Sequence, residues 1–204
     1  MGKILSTIFL SSANLVKYLL PGKARYITEQ NNIIKRAILG ISRISNDLNN
    51  IDNDAVHVSF FIQDQEGFSN KGIILDYGQY EYINDEKLVF EYREEGGLRF
   101  GYIDYQTFMD DSGRAAIVNL NISKSNPIRF NYLIDTIKKN GNWRYKDYST
   151  LFHNSQDFAV EVIKILKPKF DPLNVILGTS ATLLGRETLD EIIPKKILKA
   201  LKSV

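Results

Sequence analysis

Ala55-Val56-His57-Val58-Ser59-Phe60-Phe61-Ile62 is the stretch on which the fold turns. β-Branched and aromatic residues fill it, as they fill strands. Strand alternation puts Val56, Val58, Phe60 and Ile62 on one wholly apolar face, and Ala55, His57, Ser59 and Phe61 on the other. The strand thus holds a histidine on a rigid element with a core behind it. Taken alone, such a residue is a partly buried histidine with a satisfied hydrogen bond.

The next period-two run, Gly72 to Tyr77, gives His57 a second reading. Gln63 to Asn70 lies between the two runs, contains Gly67 and reads as a hairpin loop. A turn centred between Glu66 and Gly67 places His57 opposite Asp76. Directly paired residues share a face. A carboxylate there fixes the imidazole tautomer and favours its charged form. A slip of one residue would turn Asp76 to the other face and bring Tyr77 or Glu81 nearer. Asp76 is equally well read as a polar residue at a strand end.

Further out, Leu88 to Arg93 and Leu98 to Tyr105 flank Glu94-Glu95-Gly96-Gly97, a second hairpin signal, and Ala115 to Ile122 reads as another strand. Apolar residues at spacings of three and four predict helices over residues 3–20, ended by Pro21-Gly22, and over Ile27 to Leu48. Pro127 to Lys139 is helical, with Pro127 near its first turn and Asn140-Gly141 closing it. A helix runs through Phe152 to Leu166 and stops before Pro168. The tail from Thr188 to Lys202 is a basic amphipathic helix interrupted or started at Pro194. Helices, then antiparallel strands, then helices make an α+β chain. We divide it into an N-terminal helical arm, residues 1–50, and a catalytic-type domain, residues 51–204.

Composition narrows the chemistry. Of 204 residues, 44% are hydrophobic and 25% charged, which suits a chain with a real core. Lys plus Arg is 26 and Asp plus Glu is 24. A net charge of +2 argues against life on a nucleic-acid backbone, and the eleven Tyr and eleven Phe do not cluster with basic residues. The absence of cysteine excludes disulfides and thiolate metal sites. His57 and His153, the two histidines, are too few for a His-rich metal centre. We expect no metal and no cofactor. No apolar stretch approaches the length of a membrane span, and no signal peptide with a small-residue cleavage site is visible.

Tyr148-Ser149-Thr150-Leu151-Phe152-His153-Asn154-Ser155-Gln156-Asp157-Phe158 holds the second candidate group. Asn154 is a good N-cap, and Asp157 completes a capping box. Ser155 is then the first helical residue. The following Phe158, Ala159, Val160, Val162, Ile163, Ile165 and Leu166 leave only Glu161 and Lys164 polar, so the helix should be buried. A side chain at its head sits at the positive end of the helix dipole, among N–H groups that suit an oxyanion. A cysteine there would be a thiolate nucleophile. A serine would not, because the dipole cannot bring an alkoxide within reach at neutral pH. The plainer reading is a capped core helix.

Tyr148-Ser149 followed by His153-Asn154-Ser155-Gln156-Asp157-Phe158 resembles the Tyr-Ser/Asn…Asn-Cys-x-x-Phe segment of the circularly permuted papain-like superfamily. That group includes lecithin:retinol acyltransferase-like enzymes, PPPDE-type peptidases and NlpC/P60-like relatives. The resemblance covers about residues 55–166, and its distinctive part is 148–158. It implies a permuted papain-like fold, with an antiparallel sheet against a buried nucleophile helix. It also implies a thiol hydrolase or acyltransferase working through a covalent acyl-enzyme. Carried over by position, His57 is the base, Asp76 orients it, Ser155 stands where the cysteine would be, and the Asn154–Ser155 helix head supplies the oxyanion site. His153, adjacent in sequence but pointing elsewhere on the approach to the helix, is read as structural. Peptide, ubiquitin-like or acyl-lipid substrates follow from the resemblance. The departure is Ser155. Three explanations compete: an engineered Cys-to-Ser replacement, a degenerate inactive member, or a serine activated by His57. We prefer the first, because Asn154 and the helix are otherwise intact. A non-catalytic pseudoenzyme or a membrane-peripheral binding module with the same fold is the alternative.

Met1-Gly2-Lys3-Ile4-Leu5-Ser6 fits the Met-Gly-x-x-x-Ser pattern for acylation at Gly2. One chain gives only marginal membrane binding, so a second signal is needed. Residues 1–20 and the C-terminal Lys195, Lys196, Lys199 and Lys202 are candidates for it. The simpler reading packs the first helix on the domain and leaves the lysines in water. The expected location is cytoplasmic, with a membrane surface as an optional contact and no nucleic-acid partner.

Overall fold

The computed structural model describes residues 32–43, 56–64, 71–78, 97–109, 114–141, 143, 147–149, 152–178 and 188–204. Gly2, the helix expected over 3–20 and the strand expected over 88–93 lie outside the described residues, as does the hairpin turn around Gly67.

Among the described residues, the chain is α+β. Its centre is one six-stranded sheet in the order β4-β3-β2-β1-β5-β6. The strands are β1 (Arg36–Arg43), β2 (Val56–Gln63), β3 (Lys71–Tyr77), β4 (Leu98–Asp104), β5 (Arg114–Leu120) and β6 (Val175–Leu177). Every neighbouring pair is antiparallel. Five helices accompany it: α1 (Tyr105–Met109), α2 (Phe130–Asn140), α3 (Ser155–Leu166), α4 (Leu189–Ile192) and α5 (Lys195–Ser203).

β1 corrects the sequence reading. The helix expected over Ile27 to Leu48 is, through its middle, a strand between β2 and β5. It carries part of the segment assigned to the N-terminal arm into the middle of the sheet. The physical reason is burial on both faces. Ala37, Ile38, Leu39 and Ile41 are all fully buried, so the run is continuously apolar and imitates one stripe of a buried helix. Its Ile content and the internal Gly40 were the strand signals. Gly40 also has a packing duty, described below.

Smaller departures have local causes. α2 begins at Phe130, so Pro127 precedes it instead of opening its first turn. The tail is interrupted at Pro194, as the sequence reading has it, with α4 before the proline and α5 after it. α1 and the short edge strand β6 are additions that no periodicity announced.

Two cores sandwich the sheet. The larger holds Val56, Val58, Phe60 and Ile62 of β2 with Leu39 and Ile41 of β1, against Phe158, Ala159, Val162 and Ile163 of α3, together with residues of α2 and α5. The smaller, on the opposite face, holds Ile38, Phe61, Ile74, Ile103 and Ile117 under Phe108 of α1. The predicted alternation of β2 is therefore observed, apolar on the α3 side and mixed on the other.

Candidate active site

β2 and β3 place the first two groups. Their register puts Asp76 opposite Ser59, two residues along from the expected partner His57. A shift of two preserves the face, because side chains alternate with period two. Asp76 reaches His57 diagonally, a distance that long side chains close. His57 Nε2 lies 3.1 Å from Asp76 Oδ2. The side chain of His57 is 21% exposed and that of Asp76 3%. An ionised Asp76 accepts from Nε2–H, and a protonated one donates to Nε2.

The third group arrives on α3. Asn154 is its N-cap: Gln156 and Asp157 N–H donate to Asn154 Oδ1 at 2.9 and 3.3 Å. Asn154 N–H donates in return to Asp157 Oδ2 at 3.1 Å, which closes the capping box that the sequence announced. Lys196 of α5 donates to the other Asp157 oxygen at 2.8 Å. Ser155 is the first residue of the helix, where N–H groups have no intrahelical acceptor.

The Ser155 hydroxyl is committed to main chain. Val58 N–H donates to Ser155 Oγ at 3.3 Å, and Ser155 Oγ donates to Val56 C=O at 3.5 Å. Those atoms flank His57 in β2. The recorded pairing of β2 with β3 stops at Ser59, and the serine takes up β2 backbone beyond that point. Ser155 is 1% exposed. The structure thus sets Ser155 against the backbone on either side of His57, with its hydroxyl bonded to that backbone and not to the imidazole.

Aromatic residues wall the approach to α3. Trp143 stacks on His153 with ring centroids 4.5 Å apart, and Tyr77 meets His153, Trp143, Tyr148 and Phe158 at 5.1 to 6.0 Å. His153 also exchanges two main-chain hydrogen bonds with Ser149. Its ring is a packing element of the turn into α3. Burial, followed by the Asp76 carboxylate, pushes the Tyr148 phenol above its usual range. Tyr148 therefore stays neutral within the field of Asp76. The sequence reading quoted Tyr148 without giving it a role.

Two further polar residues escaped the sequence reading. Ser59 and Arg114 are buried on the His57 face of the sheet. Ser59 was placed on that face by alternation, and Arg114 directly precedes the apolar run Ala115–Val118, which was the available signal. Among the described residues, no group of three or more His, Asp or Glu side chains is arranged to hold a metal ion. No helix among them is long and apolar enough to cross a membrane.

Comparisons with protein-family models, with curated proteins and with solved structures found no match to this chain.

Proposed function

We propose that this protein has the framework of a permuted papain-like thiol hydrolase or acyltransferase, with serine at the nucleophile position. The observation that carries the reading is the His57–Asp76 contact of 3.1 Å with the capped head of α3 docked on the backbone beside His57. A histidine, a carboxylate beside it and a helix N-terminus lie along one strand, and these are parts that acyl transfer through a side-chain nucleophile uses.

On this reading a sulfur at position 155 attacks an acyl carbonyl, and His57 takes the thiol proton. The α3 N–H groups at Ser155 receive the developing oxyanion. Collapse breaks the bond to the leaving group, which takes the proton from His57. Water or an amine then releases the acyl group from sulfur. Substrates of this class are peptides, ubiquitin-like chains or acyl lipids. The place of action is the cytoplasm or the membrane surface next to it.

A second reading has its own observation. The Ser155 hydroxyl is buried and hydrogen-bonded to main chain, which suits a structural pin better than a nucleophile. As it stands, the chain would bind an acyl substrate without turning it over.

Ser155→Cys separates the two. Under the enzyme reading, the variant is labelled by a thiol-reactive acyl or ubiquitin-type probe, and His57→Ala in the same background lowers the labelling rate about 100-fold or more. Labelling indifferent to His57 would leave the binding module as the surviving reading.

A further inference from the structure

α5 reaches the head of α3 through Lys196. Lys195, Lys199 and Lys202 of the same helix are exposed, whereas Lys196 is partly buried. Its ammonium donates to Asp157 Oδ1 at 2.8 Å. Ile197, Leu198 and Leu201, buried in the larger core, fix α5 against α3. The other carboxylate oxygen, Asp157 Oδ2, accepts the Asn154 N–H at 3.1 Å. One carboxylate thus spans the N-cap of α3 and a cation 39 residues later in the chain.

The cap does not need the charge of Asp157. A capping box asks for a side-chain oxygen at this position, and a neutral amide supplies one. The charge does favour the helix through its dipole. It also stands two residues from Ser155, where the proposed reaction builds a thiolate and then an oxyanion. An uncompensated carboxylate in the same turn opposes both. An ion pair as exposed as this one, with side chains 39% and 33% accessible, adds little to stability. What it changes is the field at the first turn, because it places a positive charge directly on the negative one.

We infer that Lys196 is a positioning residue for the head of α3: it holds the Asp157 carboxylate on the Asn154 N–H and offsets its charge, so that the first turn presents its N–H groups to position 155 without an opposing anion. The inference rests on the acyl-transfer reading for its purpose and on the Lys196–Asp157–Asn154 hydrogen bonds for its geometry. Other titratable groups lie on or beside the elements packed against α3, among them His57 on β2, Asp76 on β3, Tyr148 and His153 ahead of the helix, Glu161 within it and Lys199 on α5. They are the same in every chain compared below, so their contribution cancels.

The test is the ionisation of a thiol at position 155. The chain has no cysteine, so Ser155→Cys carries a single thiol. Its thiolate is followed by ultraviolet absorbance against pH, with the matching Ser155 chain subtracted to remove tyrosine. Adding Lys196→Met should lower the thiolate fraction below the midpoint by about three- to tenfold. Lys196→Arg should keep most of it. Asp157→Asn alone should raise the fraction, and serves if Lys196→Met does not fold. The pair Lys196→Met with Asp157→Asn should return it close to the Ser155→Cys value. A role in packing alone predicts instead that the pair is no better than Lys196→Met. That result, or a midpoint unmoved in folded Lys196→Met, would overturn the inference. Shifts as expected, with no labelling of Ser155→Cys by an acyl probe, would keep the inference and remove the acyl-transfer reading. A thiol that stays protonated up to about pH 10 in all of these chains would overturn both.

Discussion

On the α3 side of the sheet, Val58, Phe60, Phe158 and Val162 meet in a continuous apolar layer, and polar groups enter only at its end, through Asn154 and Ser155. On the other side, a handful of apolar residues under α1 shares its space with Ser42, Ser59, Asp76 and Arg114. The first face derives its stability from area and tight packing. The second buries polar side chains, with Arg114 donating to Ser59 and Asp76 meeting His57. The candidate chemistry sits where the two meet, at β2, because a strand presents His57 to one face and its backbone to the head of α3. The difference teaches that apolar packing and buried polar groups can be kept on different sides of the same strand.

The comparison breaks if the α3 face does not dominate stability. Phe158 is fully buried and packs edge-on against Phe60 and Trp143. Phe158→Ala should cost about 3–5 kcal/mol, measured by urea unfolding, and a loss under about 1 kcal/mol would mean that α3 is not the main packing element. On the polar face, Gly40→Ala pushes a methyl into the Arg114 guanidinium and Phe108. It should cost about 1–3 kcal/mol by the same measurement, and combining it with Arg114→Met should recover part of that loss. The smallest effect at neutral pH belongs to Tyr77. Burial, with Asp147 and Tyr148 adding to it, pushes the Tyr77 phenol far above its usual range. The unfolded chain releases that proton near about pH 10 while the folded chain retains it, so stability is complete below that pH and falls above it. Tyr77→Phe should change neutral-pH stability by about 1 kcal/mol and flatten the alkaline limb of the stability curve. An alkaline limb of unchanged steepness would show that Tyr77 does not report the aromatic wall.

Much of the site was legible, and for local reasons. Asn154, Ser155 and Asp157 are a cap, a first turn and its reciprocal partner, and such hydrogen bonds span three residues. The shared face of His57 and Asp76 survived an error of two in the register, because period two forgives an even slip. β1 was misread because a doubly buried strand loses its alternation.

The sequence by itself determined the elements whose partners are close in the chain: the β2 alternation, the capped α3 and the break at Pro194. Only the tertiary structure decided what joins them. Ser155 binds the backbone of Val56 and Val58, some hundred residues earlier in the chain. Arg114 crosses Gly40 to reach Ser59. No periodicity encodes such contacts. They depend on strand order and register, which are set by how the two cores close and not by the propensity of any one segment.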